Sequence, residues 1–88
     1  GALASVLADL AMTHQVIVVT HLAQVAVQGS VHYVVRKREA ADGGVPETVL
    51  SQVSGEDRVK EIARMLSGDA TDVSLEHARQ MLSEAGRL

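Results

Sequence analysis

The chain has 88 residues, 47% of them apolar, a single aromatic (Tyr33), no cysteine and a formal net charge of −3. That length holds one small domain or part of a larger one, and a core without Phe or Trp buries little area per residue. The charge argues against a free-standing nucleic-acid binder held by phosphate attraction, and the missing thiols exclude a disulfide framework or thiolate metal site and make a reducing cytoplasm the default.

Leu3, Val6, Leu7, Leu10 and Ala11 recur at the spacing of an amphipathic helix. The stripe is already running at the first residues, with no N-cap before it, so the sequence reads as starting in mid-helix with earlier elements missing, the competing reading being a helix that frays at a natural terminus. Nothing basic precedes an apolar core there, and no secretory signal is expected. No apolar run reaches the ~20 residues that span a bilayer. Thr13-His14-Gln15 then turns the chain into Val16-Ile17-Val18-Val19, a run of β-branched aliphatics with no polar face. A half-exposed strand alternates with period two, so this run predicts a parallel strand buried on both faces. It stops at Thr20 and His21, and ligands in open α/β sheets collect beyond the carboxyl ends of parallel strands.

Leu22 to Gln28 has helical spacing through Leu22, Val25 and Ala26, with Gly29 suited to the C′ position. Val31 to Arg38 reads as a second strand, completing a right-handed βαβ unit. Ala41-Asp42-Gly43-Gly44 is a turn, and Asp-Gly is a strong hairpin signal. A third strand, Glu47 to Val53, is therefore expected antiparallel to the second, with Pro46 at its start. The last third is helical. Ser54 with Asp57 resembles a capping box, and Val59, Ile62, Ala63 and Leu66 form the buried stripe of a helix over 56–67 that Gly68 ends. Asp69 to Val73 is a loop. Ser74 is expected to cap a final helix over 74–86, with the stripe Leu75, Ala78, Met81, Leu82 and Ala85, closed by Gly86.

Among residues able to carry chemistry, His21 stands out, because the end of a buried strand aims a side chain at a bound ligand. The competing reading is a strand-end histidine bonded to nearby backbone. His14 lies in the turn, His32 in a strand and His77 on a helix, and none forms an HxxxH pair, so no metal site is expected. Arg36-Lys37-Arg38, without interleaved aromatics, reads as a solvated strand end. Glu56, Asp57 and Glu61 stand early in a helix, where acids suit its dipole. No GxxxxGK[ST] phosphate loop, GxGxxG or nucleophile with a spaced base is present. By itself the chain lacks the parts of a complete enzyme.

Three blocks carry a family resemblance. Residues 13–26, THQVIVVTHLAQVA, resemble the switch-histidine segment of ATPases of the SMC and ABC type, and more narrowly that of the bacterial RecN family, whose pattern there is close to THQVIVVTHLPQVA. Residues 58–68, RVKEIARMLSG, are similar to the family's RVEEIARMLGG, and His77-Ala78-Arg79-Gln80-Met81-Leu82 to its closing HARELL helix. The first block marks only the wider superfamily; the second and third make the resemblance specific. Leu22 also stands where an ABC transporter usually has Asp. Ala23 replaces the family's proline and Ser67 a glycine.

The resemblance implies an α/β fold, the C-terminal part of a P-loop (ABC/SMC-type) ATPase head. Its order is helix, buried parallel strand, short helix, strand, antiparallel hairpin strand and two C-terminal helices. Residues 1–54 would be the sheet-forming part with the switch histidine, and 55–88 the two-helix part. His21 would be catalytic, contacting the γ-phosphate and orienting the attacking water when two heads sandwich ATP. Thr20 and Gln24 lie beside it in the nucleotide site. Such a role suits phosphoryl transfer, which depends on positioning and charge stabilisation. The implied function is recombinational repair of DNA double-strand breaks, in the cytoplasm at the nucleoid. ATP and Mg2+ would be bound by the complete head, with the remainder of the head and a second copy as partners, DNA contacted by the assembled protein, and no membrane. In that family the phosphate loop, signature motif and Walker B acids lie upstream, so this chain alone is expected to be inactive. A function of another class also fits the residues: a non-catalytic module whose helices 56–67 and 74–86 dock a protein partner.

Overall fold

Val59, Ile62 and Ala63 fall on one helical face and Ala78 and Leu82 on another, and none of the five has any exposure to solvent. In the computed structural model, which describes residues 2–12 and 15–88, these faces meet between α3 (Gly55–Ser67) and α4 (Asp72–Glu84). Ala23 of α2 (Ala23–Ala26) and Val27 just after it join the same cluster, with Met65, Leu66, Leu75, Met81 and Ala85 packed around it. Ahead of them lies α1 (Ala2–Ala11), and between α2 and α3 come β1 (His32–Arg38) and β2 (Glu47–Val53).

The helix ends follow backbone chemistry. Gly68 ends α3 with φ 79°, a left-handed conformation that glycine adopts without a Cβ penalty, and its N–H donates to the Arg64 carbonyl at 2.6 Å. Thr71, not Ser74, caps α4. The Ser74 N–H donates to Thr71 Oγ1 at 3.2 Å and the Thr71 N–H to Ser74 Oγ at 2.8 Å, a reciprocal box that draws the helix start back to Asp72. The expected Ser54–Asp57 box does not form, since the Ser54 side chain makes no capping bond. Gly55, the first helical residue, has φ 55°, so the chain enters α3 from an unusual angle. Asp57 is also one methylene shorter than the Glu or Gln that normally reaches back. At the far end, the Gly86 N–H donates to Ser83 O and the Arg87 N–H to Leu82 O, with Gly86 at φ 72°, as in a Schellman motif.

β1 and β2 form an antiparallel pair in register from His32↔Val53 to Arg38↔Glu47, the strand bounds differing from expectation only in omitting Val31. Asp42 Oδ1 accepts the Gly44 N–H at 3.0 Å within the connection, and Arg38 pairs with Glu47 at 2.8 Å beside it. Period-two alternation buries Val34 and half-buries His32, Val49 and Val53 on one face, leaving Tyr33, Val35 and Leu50 exposed on the other.

The main departure from the sequence reading lies at residues 16–19. They form no strand; Ile17 is 84% and Val19 95% exposed. A strand needs a neighbour to satisfy its N–H and C=O groups, and the one sheet among the described residues is the β1–β2 pair alone. A β-branched run specifies extended backbone but not a partner, so the parallel strand and the βαβ unit are absent here. Thr13 and His14 of the expected turn lie outside the described residues. α1 forms as expected but buries Ala4, while Leu3, Val6 and Leu10 of its stripe are exposed. α2 is shorter than expected, and Gly29 follows it in a turn rather than as a left-handed cap. The observed architecture is a mixed α/β arrangement with a two-stranded antiparallel sheet. No helix among the described residues is long and apolar enough to cross a membrane.

Candidate functional site

The site is built on a single local bond. Thr20 Oγ1 accepts the N–H of Leu22 at 3.0 Å, a side-chain turn that competes with strand continuation. The chain bends at His21, and Leu22 becomes the N-cap of α2, its carbonyl accepting the Val25 and Ala26 N–H groups at 3.1 and 3.0 Å. Ala23 and Val25 face inward, whereas His21 is exposed and Thr20 half-buried. An exposed imidazole next to a fixed turn can donate an N–H to an anionic oxygen or accept a proton. Gln24 points elsewhere: it lines an open cleft of about 210 Å³ with Ala4, Val27, Gln28, Met81 and Ala85, which His21 does not reach. The turn therefore groups Thr20 with His21, and Gln24 stands apart.

Two residues that sequence reasoning left unassigned hold the other end of α2 and the turn after it. Arg58 Nη2 donates to the carbonyls of Ala26 at 3.0 Å and Gly29 at 2.6 Å. Arg87 donates to the Gln28 carbonyl from Nε at 3.2 Å and Nη2 at 2.7 Å. The last carbonyls of a helix lack intrahelical partners and carry partial negative charge, which cationic donors satisfy. Arg58 begins the RVKEIARML block, but its partners lie 29 and 32 residues away and that of Arg87 lies 59 away, so spacing gives no signal.

The buried side of this clasp is electrostatically tense. Arg58 is buried, and burial followed by the Arg87 charge lowers its pKa. His32 on the inner hairpin face has its pKa lowered by burial and then by Arg58, with Glu61 opposing. His32 Nδ1 and Arg58 Nε are buried without a hydrogen-bond partner. Buried Glu61 instead pairs with Arg64. His77 is exposed on α4, Arg36 and Lys37 are exposed on β1, and His14 lies outside the described residues. Among the described residues, no three His, Asp or Glu side chains gather as a metal site would need.

Fold and turn together define a mixed α/β segment that offers one exposed histidine from a bend, with a two-helix unit gripping the element behind it. No protein-family model matches the chain. Curated proteins do match it. It is 45% identical over 82 residues to the DNA repair protein RecN of Deinococcus radiodurans, covering 93% of this chain and 14% of that protein. The RecN of Mycobacterium tuberculosis is 48% identical over 82 residues, covering 90% of this chain and 13% of its own length. For the RecN of Treponema pallidum the figures are 39% over 87 residues, with 98% and 15% covered. The chain is thus similar to RecN proteins over nine-tenths or more of its own length, as a piece of such a protein would be, and it spans only 13–15% of the length of these relatives.

Proposed function

We propose that the chain forms the C-terminal part of the ATPase head of a RecN-type DNA-repair protein, with His21 as the switch histidine that senses the γ-phosphate of ATP. The observation that carries this reading is the turn at Thr20–Leu22, which holds an exposed imidazole directly behind an apolar run that lacks a strand partner among the described residues. Paired into the parallel sheet of a complete P-loop head, that run would bring His21 to the carboxyl end where ligands sit. Residues 1–54 then complete the sheet and 55–88 form the two-helix part. The relatives' name as DNA repair proteins supports a role in repair, for which we infer recombinational repair of double-strand breaks at the nucleoid. Two heads would sandwich ATP as a homodimer, and the assembled protein would contact DNA.

The residues fit one nucleotide contact and no more. His21 has an N–H for an anionic oxygen, and Thr20 fixes the bend that presents it. Gln24, turned into its own cleft, is the weaker contributor. A phosphate needs a nest of backbone N–H groups, and the sequence has no phosphate loop, so ATP and Mg2+ are held by the complete head. ATP supplies the phosphoryl group that passes to water, a reaction governed by charge stabilisation and alignment. Docking of a protein on the two C-terminal helices has less support, because their apolar stripes pack on each other and on α2.

The test is His21→Ala in a full-length RecN protein carrying this segment. Loss of one transition-state hydrogen-bond donor typically slows turnover ~10²–10³-fold. The melting temperature should hold, because an exposed side chain leaves no core cavity. A destabilised variant with a normal rate would defeat the reading.

A further inference from the structure

The exposed histidine stands between the apolar run and α2, so its placement depends on the chain that follows as well as on any sheet that the run joins. That chain is α2, a single turn of helix, too short to hold its own direction in water. Its near end is seated by Ala23 in the core. Its far end at Ala26 and the turn that follows, at Gln28 and Gly29, are gripped by guanidinium groups from opposite ends of the two-helix unit, Arg58 at the start of α3 and Arg87 just past α4. Resting on the reading of His21 given above, we propose that Arg58 and Arg87 are positioning residues that set the orientation of His21 through α2.

The lever is short. Leu22 to Ala26 spans about 6 Å at 1.5 Å per residue. A swing of roughly 10° at the gripped end displaces the histidine by about 1 Å, and a misplacement of that size can cost up to ~10²-fold in rate. Simple helix capping would explain one arginine. Two neighbouring cations, one of them buried and with its pKa lowered by that burial and then by the other charge, are a costly way to cap one turn of helix unless its direction matters.

Arg87 gives the cleaner test because it is exposed. In full-length RecN carrying this segment, R87M keeps the unbranched stem out to about the position of Nε and removes the donors. The expected result is a kcat reduced ~10–10²-fold, with the KM for ATP and the melting temperature unchanged. R87K, which can still donate to the Gln28 carbonyl, should recover most of the rate, and R58K, left with one ammonium for two carbonyls, should lose part of it. In the H21A background R87M should add no further loss, because it acts through the histidine. An equal loss from R87M with or without His21 overturns the proposal, as does a normal kcat in R87M when H21A is slow. A fall in kcat matched by a fall in melting temperature and not rescued by Lys assigns the arginine a purely structural role, and also overturns it. A normal rate in H21A itself defeats the site reading, and the positioning role falls with it.

Discussion

His32 is a base placed where its charge is unwelcome. It lies on the inner face of the hairpin, burial and the adjacent Arg58 guanidinium favour its neutral form, and Glu61 only partly offsets them. Its pKa in the folded chain is thus below the ordinary 6.5. As pH falls, the unfolded chain takes up this proton first, so the stabilisation is complete above about pH 6.5 and is lost as pH drops toward the folded value. The melting temperature of the wild type should therefore fall more steeply than that of His32→Asn between about pH 7 and 5.5, the window in which histidine titrates. Parallel curves for the two proteins would show that the ring titrates alike in both states. The sequence placed His32 on a strand but gave no hint of this neighbourhood, because Arg58 and Glu61 reach it only through the packing of α3 beneath the hairpin.

Among the secondary elements, the two C-terminal helices begin with look-alike signals of different worth. Thr71 and Ser74 each accept the other's backbone N–H with a side-chain oxygen, whereas the Ser54 side chain makes no capping bond. Thr71→Ala should lower stability by ~1 kcal/mol, and Ser54→Ala should be close to neutral. Chemical denaturation of the two variants measures the contrast, and equal losses would mean that Ser54 caps after all. Elements whose signals are local were legible: Glu47 to Val53 came out at its expected bounds, and the α3 stripe Val59, Ile62 and Ala63 is buried as its period requires. The run Val16 to Val19 forms no strand in this chain, because a buried parallel strand is defined by its neighbours, which a single sequence does not name. The bend at Thr20–His21 was legible as an end to that run. The bond that makes it, from Leu22 N–H to Thr20 Oγ1, was not.

As a whole, the molecule rests on a small interior. Val59, Ile62 and Leu82 are its largest fully buried side chains, while Ile17 and Val19 stand in solvent. An unpaired β-branched run of this kind is a template for pairing with another chain. The isolated 88-residue chain should therefore self-associate as its concentration rises, and I17K/V19K should suppress this without lowering the melting temperature, since neither side chain contributes to the core. Light scattering of the two proteins across a concentration series decides the matter. A wild-type chain that stays monomeric throughout would place the run in an intramolecular contact.

The lone aromatic has a practical corollary. Tyr33 stands on the outer face of the hairpin, across from Gln52 and beside Val35 and Leu50. With no Trp or Phe anywhere in the chain, its near-ultraviolet absorption and emission come from this one ring, whereas the far-ultraviolet dichroism is dominated by the helices. The two signals watch different halves of the molecule. Followed together during unfolding, they tell whether the hairpin and the helical pair let go as one unit or in succession, with no label attached.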